Sequence, residues 1–197
     1  GISKITAQDI AFAKEIGCCV KLLGIYHRDG DRVDARVHPC FVSNENLLSN
    51  VNGVINAVYL KCDNLGETVQ TGAGAGRLPT ASAVVADLVS LARAVDTGSR
   101  KALPMGWFNV DNSATLVPIS ETSSRYYLRF TSRDACGVLA KITSVLAENN
   151  ISIETIIQKN VKDPGKVSIV VITEKTQDCK ASKAVDAIDA LPEIVEK

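Results

Sequence analysis

The sequence predicts an α+β protein of two unlike parts, an antiparallel sheet with a few helices followed by a βαββαβ unit. Three observations lead there. Strand-like runs separated by Asp, Asn and Gly turn formers fill residues 18–71. A stretch with Gly, Pro, Ser or Asn every few positions and no long period occupies 98–124. Beyond Arg125 the apolar pattern alternates between the strand period and the helix period.

Taken in order, Thr6 is placed as the N-cap of a helix through Ile16, with Ile10 and Ala13 on its apolar face and Gly17 as its stop. Residues 19–26 and 33–42 flank Asp29, Gly30 and Asp31 and read as a hairpin. A helical turn over 46–51 ends at Asn52-Gly53, and a second hairpin joins 54–62 to 67–71 through Asp63-Asn64-Leu65-Gly66. The four strands are expected in one antiparallel sheet. Pro79 suits the first turn of a long helix in which Val84, Val85, Leu88, Leu91, Ala92 and Val95 mark one face and Gly98 the end. A short strand is expected at 114–117. The second part opens with a strand over 126–131 and a helix striped by Val138, Leu139, Ile142, Val145 and Leu146, stopped at Asn149-Asn150. Strands 151–158 and 166–173 surround Asp163-Pro164-Gly165, a helix carries Ala181, Ala184, Val185 and Ile188, and residues 194–196 begin a last strand. That order is a split βαβ arrangement with both helices on one face of the sheet.

The chain of 197 residues carries 22 Lys and Arg against 22 Asp and Glu, so no net field recruits nucleic acid or an anionic membrane. The longest apolar runs, such as 167–172, are too short to span a bilayer, and the N-terminus lacks a charged segment followed by an apolar stretch. A cytoplasmic protein is expected, with neither nucleic acid nor membrane as partner. Cys18, Cys19, Cys40, Cys62, Cys136 and Cys179 include no C-x-x-C pair and no histidine at zinc spacing, so they read as buried free thiols and no metal site is expected. His27 and His38 lack triad or ligand partners.

Two motifs carry chemistry. In 127–142, Asp134 and Gly137 stand between a strand and a helix start. Glycine lets a ligand approach the backbone, and amides at a helix start hold a carboxylate, which together suit an amino acid; the residues alone favour the simpler reading, Asp134 as a helix cap and Gly137 as a packing residue. Residues 149–158, ending in Gln158, supply a side chain with both donor and acceptor, which could also sit on a solvated strand face. In 71–87, Gly72, Gly74 and Gly76 depart from the dinucleotide fingerprint and follow a hairpin rather than opening a βαβ unit.

The 127–142 segment resembles the opening of an ACT domain, with Cys136 where that family usually has proline, and 149–158 resembles the second strand of ACT domains in homoserine dehydrogenases and aspartokinases. The 71–87 block, with Val37-His38-Pro39 and residues 52–58, resembles the catalytic domain of homoserine dehydrogenases. The resemblance implies a partial catalytic and dimerisation domain over 1–97, a linker over 98–124 and a ferredoxin-like ACT domain over 125–197. It further implies an NAD- or NADP-dependent oxidoreductase interconverting homoserine and aspartate semialdehyde in threonine, methionine and isoleucine biosynthesis.

Several expectations follow from it. Gly74 and Gly76 would bring backbone to the cofactor. Asp134, Gly137, Val138, Leu139, Asn150, Ile151 and Gln158 would hold an amino-acid effector, foremost L-threonine, at an interface between two ACT domains, which implies a homodimer or larger assembly. No catalytic residue is assigned here, because the family's Rossmann domain and essential lysine have no counterpart after Gly1, and the chain alone is expected to be inactive. The alternative is a free-standing amino-acid-sensing ACT dimer without catalysis.

Overall fold

The computed structural model describes residues 2–96, 113–161 and 163–196. The chain divides into two compact units, one of residues 1–25 and 37–113, the other of 26–36 and 114–197.

In the first unit, helix α1 spans Ala7–Glu15 behind a full capping box: the Asp9 amide donates to the Thr6 hydroxyl, and the Thr6 amide donates to Asp9 Oδ2 at 2.8 Å. The helix stops at Gly17, φ +71°. Its buried face is Asp9, Phe12 and Ala13, whereas Ile10 is exposed, because the capping box turns the Asp9 side of the helix inward. Strands β1 (Cys18–Asp29) and β2 (Arg32–Ser43) form the expected hairpin, longer than its apolar runs suggest. A 3-10 turn over Leu47–Asn50 is capped by the Asn46 side chain. Strands β3 (Ile55–Cys62) and β4 (Gly66–Ala73) pair antiparallel along their whole length.

The four strands do not make one sheet. Among the described residues, β3 and β4 stand alone, while β1 and β2 are joined by the short strand β5 (Thr115–Leu116), which lies parallel to β2. Turn chemistry specifies each hairpin locally, but nothing local specifies which hairpin edges meet. Helix α2 (Arg77–Asp96) has no buried residue at all. Its large apolar side chains, Leu78 and Val89 with Val84, Val85, Leu88, Leu91 and Val95, lie on one broad face and are all exposed. With a mean hydropathy of 1.4 over 18 residues, it is long and apolar enough to cross a membrane by those criteria alone, which the contiguous apolar runs do not reveal. An apolar face that wide is normally packed against another element. The expected stop at Gly98 lies outside the described residues.

The second unit carries the βαββαβ order. After β5 come a 3-10 turn (Ile119–Glu121) and β6 (Ser123–Ser124), which pairs with β10 (Thr176–Gln177). The main sheet is β7 (Tyr127–Arg133), β8 (Ile153–Asn160), β9 (Lys166–Thr173) and β11 (Ile194–Glu196), in the order β11-β7-β9-β8. Helices α3 (Val138–Glu148) and α4 (Asp178–Asp189) supply the stripes Val138, Ile142, Leu146 and Ala181, Ala184, Ile188 to one core with Phe130, Ile151, Val167, Ile169 and Val171. Each large apolar side chain buried there is worth about 1.5–3 kcal/mol. Leu139, expected in the α3 stripe, is 36% exposed.

Helix α3 ends in a Schellman motif. The Asn150 amide, at φ +55°, donates to Ala147 O at 2.9 Å and the Ile151 amide to Leu146 O at 3.0 Å, with Ile151 and Leu146 both in the core. The six cysteines form no disulfide, and five are only partly buried and Cys136 is exposed, so the expectation of buried thiols fails.

Candidate functional site

The turn from β7 to α3 is held by backbone. The Arg133 amide donates to Glu193 O and the Asp134 amide to Gly165 O, each at 2.9 Å. Gly137 then takes the N-cap position at φ +87°, with open space where a Cβ would lie, so glycine is needed for its backbone angle and not for room. No side chain caps α3, which excludes the reading of Asp134 as its cap. The Val138 amide donates to Ala135 O at 3.5 Å, and the amides that follow it stand at the positive end of the helix dipole, beside the exposed Asp134, Cys136 and Gly137. At the next turn Lys141 Nζ reaches Glu193 Oε1 at 2.5 Å. That bond and the Glu193 amide hold the Glu193 carboxyl below its usual range.

Gln158 pairs across β8 and β9 with Ile169, which pairs with Phe130 on β7. Since cross-strand partners share a face, Gln158 stands on the helix-covered side, at the exposed edge strand. Strands β7 and β8 are both antiparallel to β9, so the end of β8 that carries Gln158 is also the end where α3 begins.

Asn150 and Ile151 lie beyond the other end of α3, an 11-residue helix roughly 16 Å long. One copy of the unit therefore gathers Asp134, Gly137, Val138, Leu139 and Gln158 at one end of the sheet and leaves Asn150 and Ile151 at the other. The side chains of Val138 and Ile151 are 4% and 5% exposed, so these residues can offer a ligand only backbone.

Two features escape the sequence. Ser132 is fully buried with an unpartnered hydroxyl and, opposite Val167, faces the helix layer where α3 starts. The Tyr126 hydroxyl donates to Asp178 Oδ1 at 3.0 Å, tying the sheet to the first residue of α4; burial first, then this bond, pushes its pKa up. Nothing in the local patterns joins residues 52 apart.

In the first unit, the Gly74 amide donates to Val54 O at 2.7 Å, and a Cβ on Gly74 would lie 2.2 Å from Asn56 Nδ2. Gly76 sits at φ +129° against the Pro79 ring. Both glycines are thus required by contacts within the chain. A shallow depression on the β3–β4 face, lined by residues that include Asn56, Gln70 and Gly72, leads to this turn. His38 Nδ1 lies 3.3 Å from Cys40 Sγ, and no group of three potential metal ligands occurs among the described residues.

Comparison with known proteins gives two family matches, homoserine dehydrogenase over residues 1–89 and ACT domain over 126–193. The homoserine dehydrogenase of Neisseria gonorrhoeae is 43% identical over 199 residues, which cover 100% of this chain and 46% of that protein. That of Pseudomonas aeruginosa is 39% identical, covering 97% and 45%. The crystal structure of a homoserine dehydrogenase from Thiobacillus denitrificans matches with a TM-score of 0.84 at 37% identity, over 100% of this chain and 45% of that one. The chain spans about half the length of the curated relatives it matches.

Proposed function

Because this chain belongs to the homoserine dehydrogenase family and corresponds to its C-terminal part, a catalytic-domain segment followed by an ACT domain, we propose that it regulates and helps assemble such an enzyme. The whole enzyme interconverts homoserine and aspartate semialdehyde in the cytoplasm with NAD or NADP. Residues 1–97 are its partial catalytic and dimerisation domain, 98–124 a linker and 125–197 the regulatory unit, which binds an amino acid, foremost L-threonine, for feedback control.

The observation that carries the regulatory reading is the uncapped start of α3 at Gly137, on the same end of the sheet as Gln158. A carboxylate suits the α3 amides that follow Val138, and the Gln158 carboxamide suits a ligand hydroxyl or ammonium group. Asn150 and Ile151, at the far end, join the same ligand only if a second copy brings them there. The unpaired edge of β8 is a ready surface for that pairing.

Support for the enzyme reading comes from α2. Its exposed apolar side chains need cover, and the relatives carry more than half of their length outside the matched region. A free-standing sensor would leave that helix bare. The nicotinamide site lies mostly in that other part. At the Gly74–Gly76 turn the space beside Gly74 is filled by Asn56, so what this chain offers the cofactor is backbone and the Asn56 carboxamide. When bound, the cofactor supplies the hydride chemistry, and this chain contributes only to the walls of its site.

Titrating the chain with a panel of amino acids by calorimetry tests the regulatory reading. Saturable threonine binding that weakens at least tenfold in Gln158→Ala supports it, and absence of binding by every amino acid refutes it. Homoserine oxidation by the full-length polypeptide, assayed with each nicotinamide cofactor, tests the enzyme reading.

A further inference from the structure

The first unit holds a thiol and an imidazole that the enzyme and effector readings leave unused. His38 and Cys40 lie on β2, in the part of that strand that belongs to this unit. Residues two apart on a strand share a face, so the backbone sets the pair side by side. His38 Nδ1 stands 3.3 Å from Cys40 Sγ, closer than the sulfur's 3.7 Å contact with His38 O. Pro39 between them fixes φ at the residue that separates the two side chains. Both are only partly buried, which leaves the sulfur within reach of a small solute.

Pro39 O lies 3.1 Å from the same ring nitrogen. A bare Nδ1 would set its lone pair against that carbonyl, so Nδ1 keeps its proton and donates where Pro39 O and Cys40 Sγ meet it. An N–H donor beside sulfur favours the thiolate, which is the form that reacts. Two other thiols of this unit meet the opposite environment. Cys18 donates to Ile16 O at 3.8 Å and Cys19 to Ser49 O at 3.9 Å, and a carbonyl acceptor favours the thiol that keeps its proton. The ammonium of Lys21, on the neighbouring strand β1, is held by Val51 O at 2.5 Å and Asn52 Oδ1 at 2.9 Å.

We propose that Cys40, with His38 as its activating partner, is a site of reversible thiolation by small disulfides. The Cys40 thiol gives its proton to solvent, and the thiolate, held by the His38 Nδ1–H, attacks one sulfur of the disulfide. The new S–S bond forms as the old one breaks, and the departing thiolate takes a proton from solvent. The disulfide is itself the oxidant: one half ends on Cys40 and the other leaves as a thiol. Excess small thiol reverses the exchange by the same route. Neither the amino-acid effector nor the nicotinamide cofactor takes part.

A hydrogen bond to a charged acceptor raises the thiolate fraction near neutrality about tenfold, and the lower nucleophilicity of a more stable thiolate returns about half of that gain on a logarithmic scale. A net advantage of about threefold remains at neutral pH, and it turns into a disadvantage once every thiol is ionised.

Oxidised glutathione added to the whole chain tests this, with the mixed disulfide at each cysteine followed by peptide mass mapping. Cys62, also partly buried and in the same unit, is the reference thiol. The ratio of the Cys40 rate to the Cys62 rate should fall about tenfold from about pH 7 to about pH 9.5, above the ordinary thiol value of roughly 8.5. His38→Phe removes the donor and should lower that ratio about threefold at about pH 7, with the Cys62 rate unchanged. A ratio that does not move with pH reports access alone and overturns the proposal, as does a ratio unchanged in His38→Phe. Should His38→Phe fail to fold, the pH dependence of the ratio in the parent chain decides.

Discussion

The βαββαβ sheet and the first unit use similar residues to opposite effect. Among the described residues, twelve of the fifteen buried apolar side chains lie between Phe130 and Ile188, and the first unit holds the other three, Phe12, Ala13 and Val42. In the sheet, α3 and α4 cover the Phe130–Ile169 face. In the first unit, α2 and the β3–β4 hairpin present Leu88, Leu91, Val58 and Leu60 to the outside. One part closes its own core, while the other leaves its apolar faces uncovered.

Core truncation should separate the two most sharply. Ile142→Ala, at a site with 0% exposure, should destabilise the sheet by about 2–5 kcal/mol, read from the urea midpoint of the chain. Leu88→Ala, 60% exposed on α2, should change it by less than about 0.5 kcal/mol in this chain. In the longer polypeptide proposed above, Leu88→Ala should become as damaging as Ile142→Ala. If Leu88→Ala is already severe in the chain alone, α2 is covered here and the contrast collapses.

The glycines sharpen the comparison on a smaller scale. Gly137→Ala must hold φ +87° with a Cβ in open space, a backbone cost of roughly 1–2 kcal/mol with no clash. Gly74→Ala meets the Asn56 side chain instead, so Asn56→Ala should restore most of what it loses, whereas no neighbouring substitution should rescue Gly137→Ala. A double-mutant cycle in thermal unfolding reads both.

How much of this was legible depends on how local the determinant is. Thr6, Gly17, Asn46, Asn150 and Gly165 act within one turn of chain, and each punctuates the structure where its chemistry says it should. The α3 stripe was readable because both its period and its partner strands lie in the same unit. The separation of the β3–β4 hairpin, the exposure of Ile10 and the bare surround of α2 were not, since each depends on what lies across a gap that periodicity does not encode. The same holds for the candidate site. Asp134, Gly137 and Gln158 could be named from sequence, but that Asn150 and Ile151 stand at the opposite end of α3 emerges only from the strand register.

Tyr126 tests the seam between the sheet and α4. Its pKa is raised above the ordinary value of 10.0, so the folded state favours the protonated phenol. Its contribution is fully present below the unfolded pKa and is lost as pH rises through the higher folded one. The chain should therefore lose stability on the alkaline side. Tyr126→Phe should flatten that slope and cost roughly 1.5 kcal/mol near neutrality, the loss of a hydrogen bond to a charged acceptor. Unfolding midpoints across the alkaline range measure both.

The smallest effect belongs to the rim of the closed unit. Lys141 and Glu193 join α3 to the loop before β11, with side chains 50% and 21% exposed. Because the Glu193 pKa is lowered in the fold, its contribution is present above the unfolded carboxylate value and fades as pH falls through the folded one. Glu193→Gln should leave the neutral-pH midpoint almost unchanged and flatten only the acid limb, and added salt should mimic it. Lys141 follows the first α3 amides by one turn, so the same variant also asks whether that turn needs bracing from the side. Unchanged threonine binding in Glu193→Gln would leave the backbone bonds at Arg133 and Asp134 as what shapes the turn. Lost binding would make the ion pair part of the site, and closure of the core beneath would no longer suffice to explain its geometry.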